Sequence, residues 1–180
     1  MKENNNTRIA TICFAAAGMI WLIERVLSMR KKSYFTIAEL CKSTKADQLG
    51  IDNTPTPEAE YNLQQLIDNV LNPARTELGS PIYVKSGYRC PELNAAVDGE
   101  ETSQHMDGEA ADITAGNKTK NRKLFEILVA QNNYDQLIWE GNGIWIHVSY
   151  DGSRNRGQIL AQNSSGGYTN IKNNWQTYIG

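Results

Sequence analysis

Histidine is the scarce residue here: the 180-residue chain has two, His105 and His147, so any imidazole chemistry must run through them. Three cysteines, Cys13, Cys41 and Cys90, show no C-x-x-C spacing, which excludes a cysteine-built metal cluster. Cys41 and Cys90 are candidates for a disulfide in an oxidising compartment, a pairing that spacing alone does not decide. Neither charge sign is in excess. The 18 Lys and Arg against 20 Asp and Glu leave a net charge of −2, so the electrostatic footprint of a nucleic-acid binder is missing and no nucleic-acid partner is expected. There is no G-x-S-x-G elbow, and Ser103 lies only two residues from His105, a poor geometry for proton transfer. Both points weigh against a serine hydrolase. Internal repeats and low-complexity tracts are also lacking.

Long apolar runs are limited to one, Ile9 to Ile23 (IATICFAAAGMIWLI), with Lys2 and Arg8 before it and Arg25, Arg30, Lys31 and Lys32 after it. It falls short of the ~20 residues that span a bilayer, but counting on to Leu27 brings it within reach. Residues 1–32 therefore read as a hydrophobic signal-anchor, with residues 9–27 the candidate membrane anchor. No A-x-A cleavage site follows it. The alternative is an over-extended start, since Met29 stands just before the soluble part, and a chain starting there would be cytoplasmic. Residues 33–180 are long enough to bury one core and read as a single domain.

Within that domain, Phe35 to Leu40 suggests a short helix capped by Thr36, with Glu39 three residues on. Ser43 to Gly50 suggests a second, and residues 51–57, with two prolines, an irregular linker. Leu63, Leu66, Ile67, Val70 and Leu71 recur at helical spacing within Pro57 to Leu78, where Pro73 is expected to kink or restart the helix. A strand at Ile82 to Ser86, a short helix through Leu93 to Ala96, a strand at Ala110 to Thr114 and a helix at Lys118 to Ala130 follow. Tyr134 to Glu140 and Ile144 to Tyr150 read as a hairpin turning at Asn142-Gly143, a pair suited to the positive φ of a type I′ turn. This order predicts an α+β fold, a small antiparallel sheet with flanking helices. The tail from Asp151 to Gly180 is rich in Gly, Ser and Asn yet holds Tyr168, Trp175 and Tyr178. It either packs on the domain or lines a substrate groove.

The densest chemistry lies in Ser103-Gln-His-Met-Asp-Gly-Glu-Ala-Ala-Asp112. His105 and Asp112 are seven residues apart, and Gly108 permits the bend that returns a loop histidine to a strand aspartate. With His147 in Trp145-Ile-His-Val-Ser149, two imidazoles and a carboxylate make the ligand set of a catalytic zinc, leaving a fourth position for water. A half-buried Asp112 needs such a partner. A two-residue hairpin turn sets Glu140 opposite Trp145. Glu140, Trp145, His147 and Ser149 then share one face, and Glu140 lies diagonal to His147. Glu140 is thereby the candidate general base, with Asp107, Glu109 and Asp135 next in line.

Ser86-Gly-Tyr-Arg89, Ser103-x-His105-x-x-Gly108-x-Ala110-x-Asp112 and Trp145-x-His147-Val-Ser149, in that order, resemble the M15 peptidases: zinc D-alanyl-D-alanine carboxypeptidases and peptidoglycan endopeptidases, including phage endolysins. The resemblance covers roughly Tyr34 to Tyr150. It implies a hedgehog/D-Ala-D-Ala-peptidase-like fold, zinc on His105, Asp112 and His147, and Arg89 binding the substrate's carboxylate or polarised carbonyl. Ser103, Trp145 and Ser149 are further substrate-contact candidates. Many relatives carry an acid three residues before the last histidine, where this chain has Ile144. The expected substrate is peptidoglycan peptides, cut by a monomer in the cell envelope, either anchored there or phage-encoded and delivered to it. The alternative is a catalytically silent, zinc-stabilised peptidoglycan-binding module.

Overall fold

A computed structural model describes residues 33–179; the apolar run, its anchor reading and Met29 lie outside the described residues. No helix among the described residues is long and apolar enough to cross a membrane.

Two short helices open the domain, α1 (Ile37–Cys41) and α2 (Thr44–Leu49). The side chains of Thr36 and Ser43 cap them by accepting from the Glu39 and Ala46 N–H groups. Gly50 closes α2 in the left-handed region at φ 68°. Helix α3 (Pro57–Leu66) runs through a π turn at Ile67–Leu71 into α4 (Asn72–Leu78). The widened turn directly precedes Pro73, which has no N–H to give to the helical ladder. Asn133 Nδ2 donates to the Asn69 carbonyl in this turn at 3.0 Å. The apolar stripe of this long helix, Leu63, Leu66, Ile67 and Leu71, is essentially inaccessible to water. Each such side chain stabilises the fold by about 1.5–3 kcal/mol.

Strand β1 (Tyr83–Ser86), helix α5 (Pro91–Ala96), strand β2 (Ala110–Thr114) and helix α6 (Lys118–Gln131) follow. Next come β3 (Gln136–Glu140), β4 (Trp145–Ser149), β5 (Gln158–Gln162), β6 (Tyr168–Asn170) and the short α7 (Trp175–Tyr178). The six strands form one sheet in the order β1-β2-β4-β3-β5-β6. The fold is α+β, as the sequence predicts, but the sheet is not wholly antiparallel: β5 runs parallel to β3. The hairpin accounts for this. It brings the end of β4 back beside the start of β3, so a strand that begins there on β3's free edge must run the same way as β3. The tail thus packs onto the domain, burying Ile159, Ala161, Ile171 and Ile179.

Alternation sorts the sheet's two faces. Ala111, Ile113, Leu137, Trp139, Ile146 and Val148 enter the hydrophobic core with α3, α4 and α6. Asp112, Ile138, Glu140 and His147 point the other way. In the β3–β4 turn, Asn142 and Gly143 have φ 54° and 88°, and the ladder pairs Glu140 with Trp145 and Ile138 with His147. Asn121, buried at the start of α6, fixes this turn: its Nδ2 donates to the carbonyls of Gly143 and Ile144, both at 2.9 Å. Cys41 and Cys90 are free thiols rather than a disulfide. The Cys90 sulfur caps α5 by accepting from the Leu93 N–H, and burial, then the charge of Glu60, pushes the Cys41 thiol up to about 11.

Candidate active site

Adjacent ladder positions assemble the site. Asp112 on β2 pairs with His147 on β4, and His147 pairs with Ile138 on β3. His105 arrives from the loop before β2, where Gly108 (φ 73°) makes the return. A Cβ on Gly108 would stand 2.3 Å from the Ala59 carbonyl oxygen, so only glycine fits.

The three donor atoms come together closely. His105 Nε2 is 3.3 Å from His147 Nδ1 and 3.4 Å from Asp112 Oδ1, and His147 Nδ1 is 3.1 Å from Asp112 Oδ1. Donors held about 2.0–2.1 Å from a tetrahedral zinc would stand about 3.3–3.4 Å apart. The three residues therefore fit zinc as they stand. Their protonation suits it too. Burial holds His105, 2% exposed, below the usual histidine range, although Asp112 pulls the other way. Burial opposes the charge on Asp112, but the two imidazoles outweigh it and hold the carboxyl well below the usual range. Metal ligands must be deprotonated in this manner. His105 Nδ1 donates to the Gly87 carbonyl at 2.7 Å, which fixes the ring and leaves Nε2 facing the other two donors.

A cleft of about 760 Å³ surrounds this cluster, and Arg89, Ser103, Glu140 and Trp145 line it as well. Glu140 is buried, with Oε2 accepting from the Trp145 indole N–H and Oε1 accepting from the Tyr168 hydroxyl at 3.1 Å. Burial, then the charge of Asp112, raises its pKa, and His147, Trp145 and Tyr168 restrain the rise. A carboxyl shifted in this direction and held by two donors is placed to serve as a general base. Burial, then Glu140, pushes the Tyr168 phenol up to about 12, so it remains a donor. Arg89 is half-buried, its charge disfavoured by burial and supported by Asp112 and Glu140. Its Nε is buried with no hydrogen-bond partner. The residue as a whole lines the cleft, beside Asp112 and Glu140.

Other sequence candidates fall outside this constellation. Ser149 is fully buried, and its Oγ accepts from the Gln136 N–H at 3.1 Å; it ties two strands together and does not line the cleft. Asp135 is also fully buried, bound at both oxygens by Arg156. Ile144 is 61% exposed in the turn. Asp107 and Glu109 do line the cleft, and Glu109 accepts from Gln104 Nε2. The sequence motifs pass over Tyr168, Arg154, Arg156 and Leu160, all supplied to the cleft by the tail. The one signal for them was an aromatic residue within an otherwise small and polar stretch.

The family model described as Peptidase M15 matches residues 33–149, about two thirds of the chain. No curated protein matches the chain.

Proposed function

Because the chain belongs to the peptidase M15 family, we propose that it is a zinc peptidase acting on the stem peptides or cross-links of peptidoglycan in the cell envelope. The observation that carries the metal assignment is the mutual spacing of His105 Nε2, Asp112 Oδ1 and His147 Nδ1, 3.1–3.4 Å. When bound, zinc brings the pKa of a coordinated water towards ~7 and polarises a carbonyl. Glu140 accepts the proton of the attacking water and delivers it to the amine nitrogen as the C–N bond breaks. Trp145 and Tyr168 hold the Glu140 oxygens in place through that exchange. Arg89, which lines the cleft, offers its planar guanidinium to a substrate carboxylate or to the developing oxyanion. Ser103 and Trp145 form the walls of the cleft.

Zinc analysis of the purified chain, joined to release of soluble products from cell-wall fragments, tests this. About one zinc per chain and hydrolysis are expected. His147→Ala should lose both. Glu140→Gln should keep the metal and lose at least ~10²-fold in rate. A fully loaded wild-type chain that releases nothing would make it the silent binding module instead. An unimpaired Glu140→Gln would move the base to Asp107 or Glu109.

A further inference from the structure

A second cleft, of about 690 Å³, lies on the β1 side of the metal ligands and meets the first at Arg89, Val97 and Asp112. The two arms differ in charge. The first carries Asp98, Glu100, Asp107 and Glu109 beyond the site itself. Besides the shared Arg89, its two arginines are already engaged, Arg156 by Asp135 and Arg154 by Asp151. The second carries Lys42, Lys45 and Lys85, with Glu39 as the opposing acid besides the shared Asp112. None of the three lysines takes part in an ion pair among the described residues.

These lysines come from three separate places: the end of α1, the first turn of α2, and β1. The last is the most telling. Val84 pairs with Ile113 and Ser86 with Asp112, so Lys85 is the extra residue of a β-bulge. Bulges beside a site re-aim a side chain. Lys85 Nζ lies 5.8 Å from the centre of the Trp145 ring, the same ring whose N–H binds Glu140. An edge strand gains protection from aggregation by bearing a lysine, but that purpose requires neither the bulge nor convergence with Lys42 and Lys45 on one cleft.

We propose that this second cleft is an anion-accepting arm of the substrate groove. It takes the carboxylate-bearing part of a peptide that crosses the metal ligands, with Lys85 as the contact nearest the scissile bond and Lys42 and Lys45 further out. The assignment rests on the peptidase reading, which sets a peptide across the site, and it names the substrate as one carrying acidic groups to one side of the cut.

The test is binding of two peptides, N-acetyl-Glu-Glu-Glu-amide and N-acetyl-Gln-Gln-Gln-amide, to the full metal-free chain, followed by amide NMR shifts at low salt. The Glu peptide should bind about 30-fold more tightly, at about threefold for each of the three lysines. Lys42→Gln/Lys85→Gln should remove most of that preference while leaving the affinity for the Gln peptide unchanged. Added salt should erode it, because exposed charges are screened within about 10 Å at 0.1 M. Equal affinities in the wild type, or a preference untouched by the double substitution, would overturn the arm. If the zinc-loaded chain hydrolyses no peptide yet the preference and its loss persist, the catalytic reading fails and the arm stands.

Discussion

Arg156→Met should cost about 3 kcal/mol at neutral pH and reverse one component of the pH dependence. Asp135 is fully buried at the entrance to β3, and Arg156 binds it through Nε, Nη2 and its own backbone N–H. Removing one partner of a buried ion pair costs about 3–5 kcal/mol, because the remaining charge is stranded. The lower end applies here. The Arg156 side chain is 45% exposed, so its attraction is partly screened, and its backbone N–H would still donate to Asp135 Oδ1 at 2.9 Å. In a domain with about 5–15 kcal/mol of total stability, the variant remains folded but weakened.

The pH dependence separates this cause from simple loss of packing. In the wild type, burial opposes the Asp135 charge, but the bonds from Arg156 outweigh it and hold the folded pKa below the ordinary value. Its contribution is therefore complete above the unfolded pKa of ~3.9 and is lost as pH falls through the lower folded value. Without Arg156, burial dominates and the folded pKa rises above ~3.9. The variant then loses stability as pH rises through that value. Urea unfolding of both proteins should show a gap of about 3 kcal/mol at pH 7 that is smaller at pH 3.5 and closes only once the pH passes below the folded value of the wild-type Asp135. Adding Asp135→Asn to Arg156→Met should recover much of the loss, because no charge is then stranded. A gap that is the same at both pH values would refute the reasoning.

Two further substitutions probe the site through its supports. Tyr168→Phe removes one donor from Glu140, a bond worth about 2–10-fold. The rate constant kcat should fall by about that factor, with KM and zinc content little changed, and the acidic limb of the kcat/KM profile should move up, since a carboxylate that loses a donor protonates more readily. An unmoved limb would show that the tail only walls the cleft. Gly87→Ala would set a Cβ 2.2 Å from the Leu40 carbonyl oxygen, forcing the backbone that presents its own carbonyl to His105 to shift. Chelator competition should then show zinc affinity lower by about 10–100-fold; an unchanged affinity would mean that this carbonyl does not set the ring's orientation.

The clustering of His105, Asp112 and His147 is legible because its signal is local. His105, Gly108 and Asp112 sit within eight residues, the required bend is encoded in a glycine, and the second histidine lies in a strand whose turn announces itself as Asn-Gly. The caps of α1 and α2 were readable for the same reason, each being a contact across three residues. The tail was not. Its placement depends on β5 finding the free edge of β3 and on Arg156 reaching Asp135, 21 residues earlier in the chain. A run of Gly, Ser and Asn carries no trace of that pairing. Tyr168 could be singled out as an aromatic among small residues, but nothing local ties it to Glu140, 28 residues away. Ser149 departs from the sequence expectation for a related reason. Alternation set it on the site's side of β4, but only the packing of β3 against its end shows the hydroxyl spent on the Gln136 N–H.

The position of the proposed base, Glu140, follows from parity. Three residues before His147 the chain places Ile144 in the turn, off the sheet face and exposed to water. A carboxylate can still reach that face from the neighbouring strand, provided that the turn preserves the alternation of side chains. The ladder does so, pairing Glu140 with Trp145 and Ile138 with His147. One residue more in the turn would carry Glu140 to the core side, where Trp139 now packs. Trp145, opposite Glu140, then supplies the indole N–H that holds it, and Gly141 leaves room for that ring: a Cβ at Gly141 would stand 2.5 Å from it. The moved carboxylate, the even turn, the glycine and the tryptophan form one arrangement, and a change in the turn's length would undo all four together.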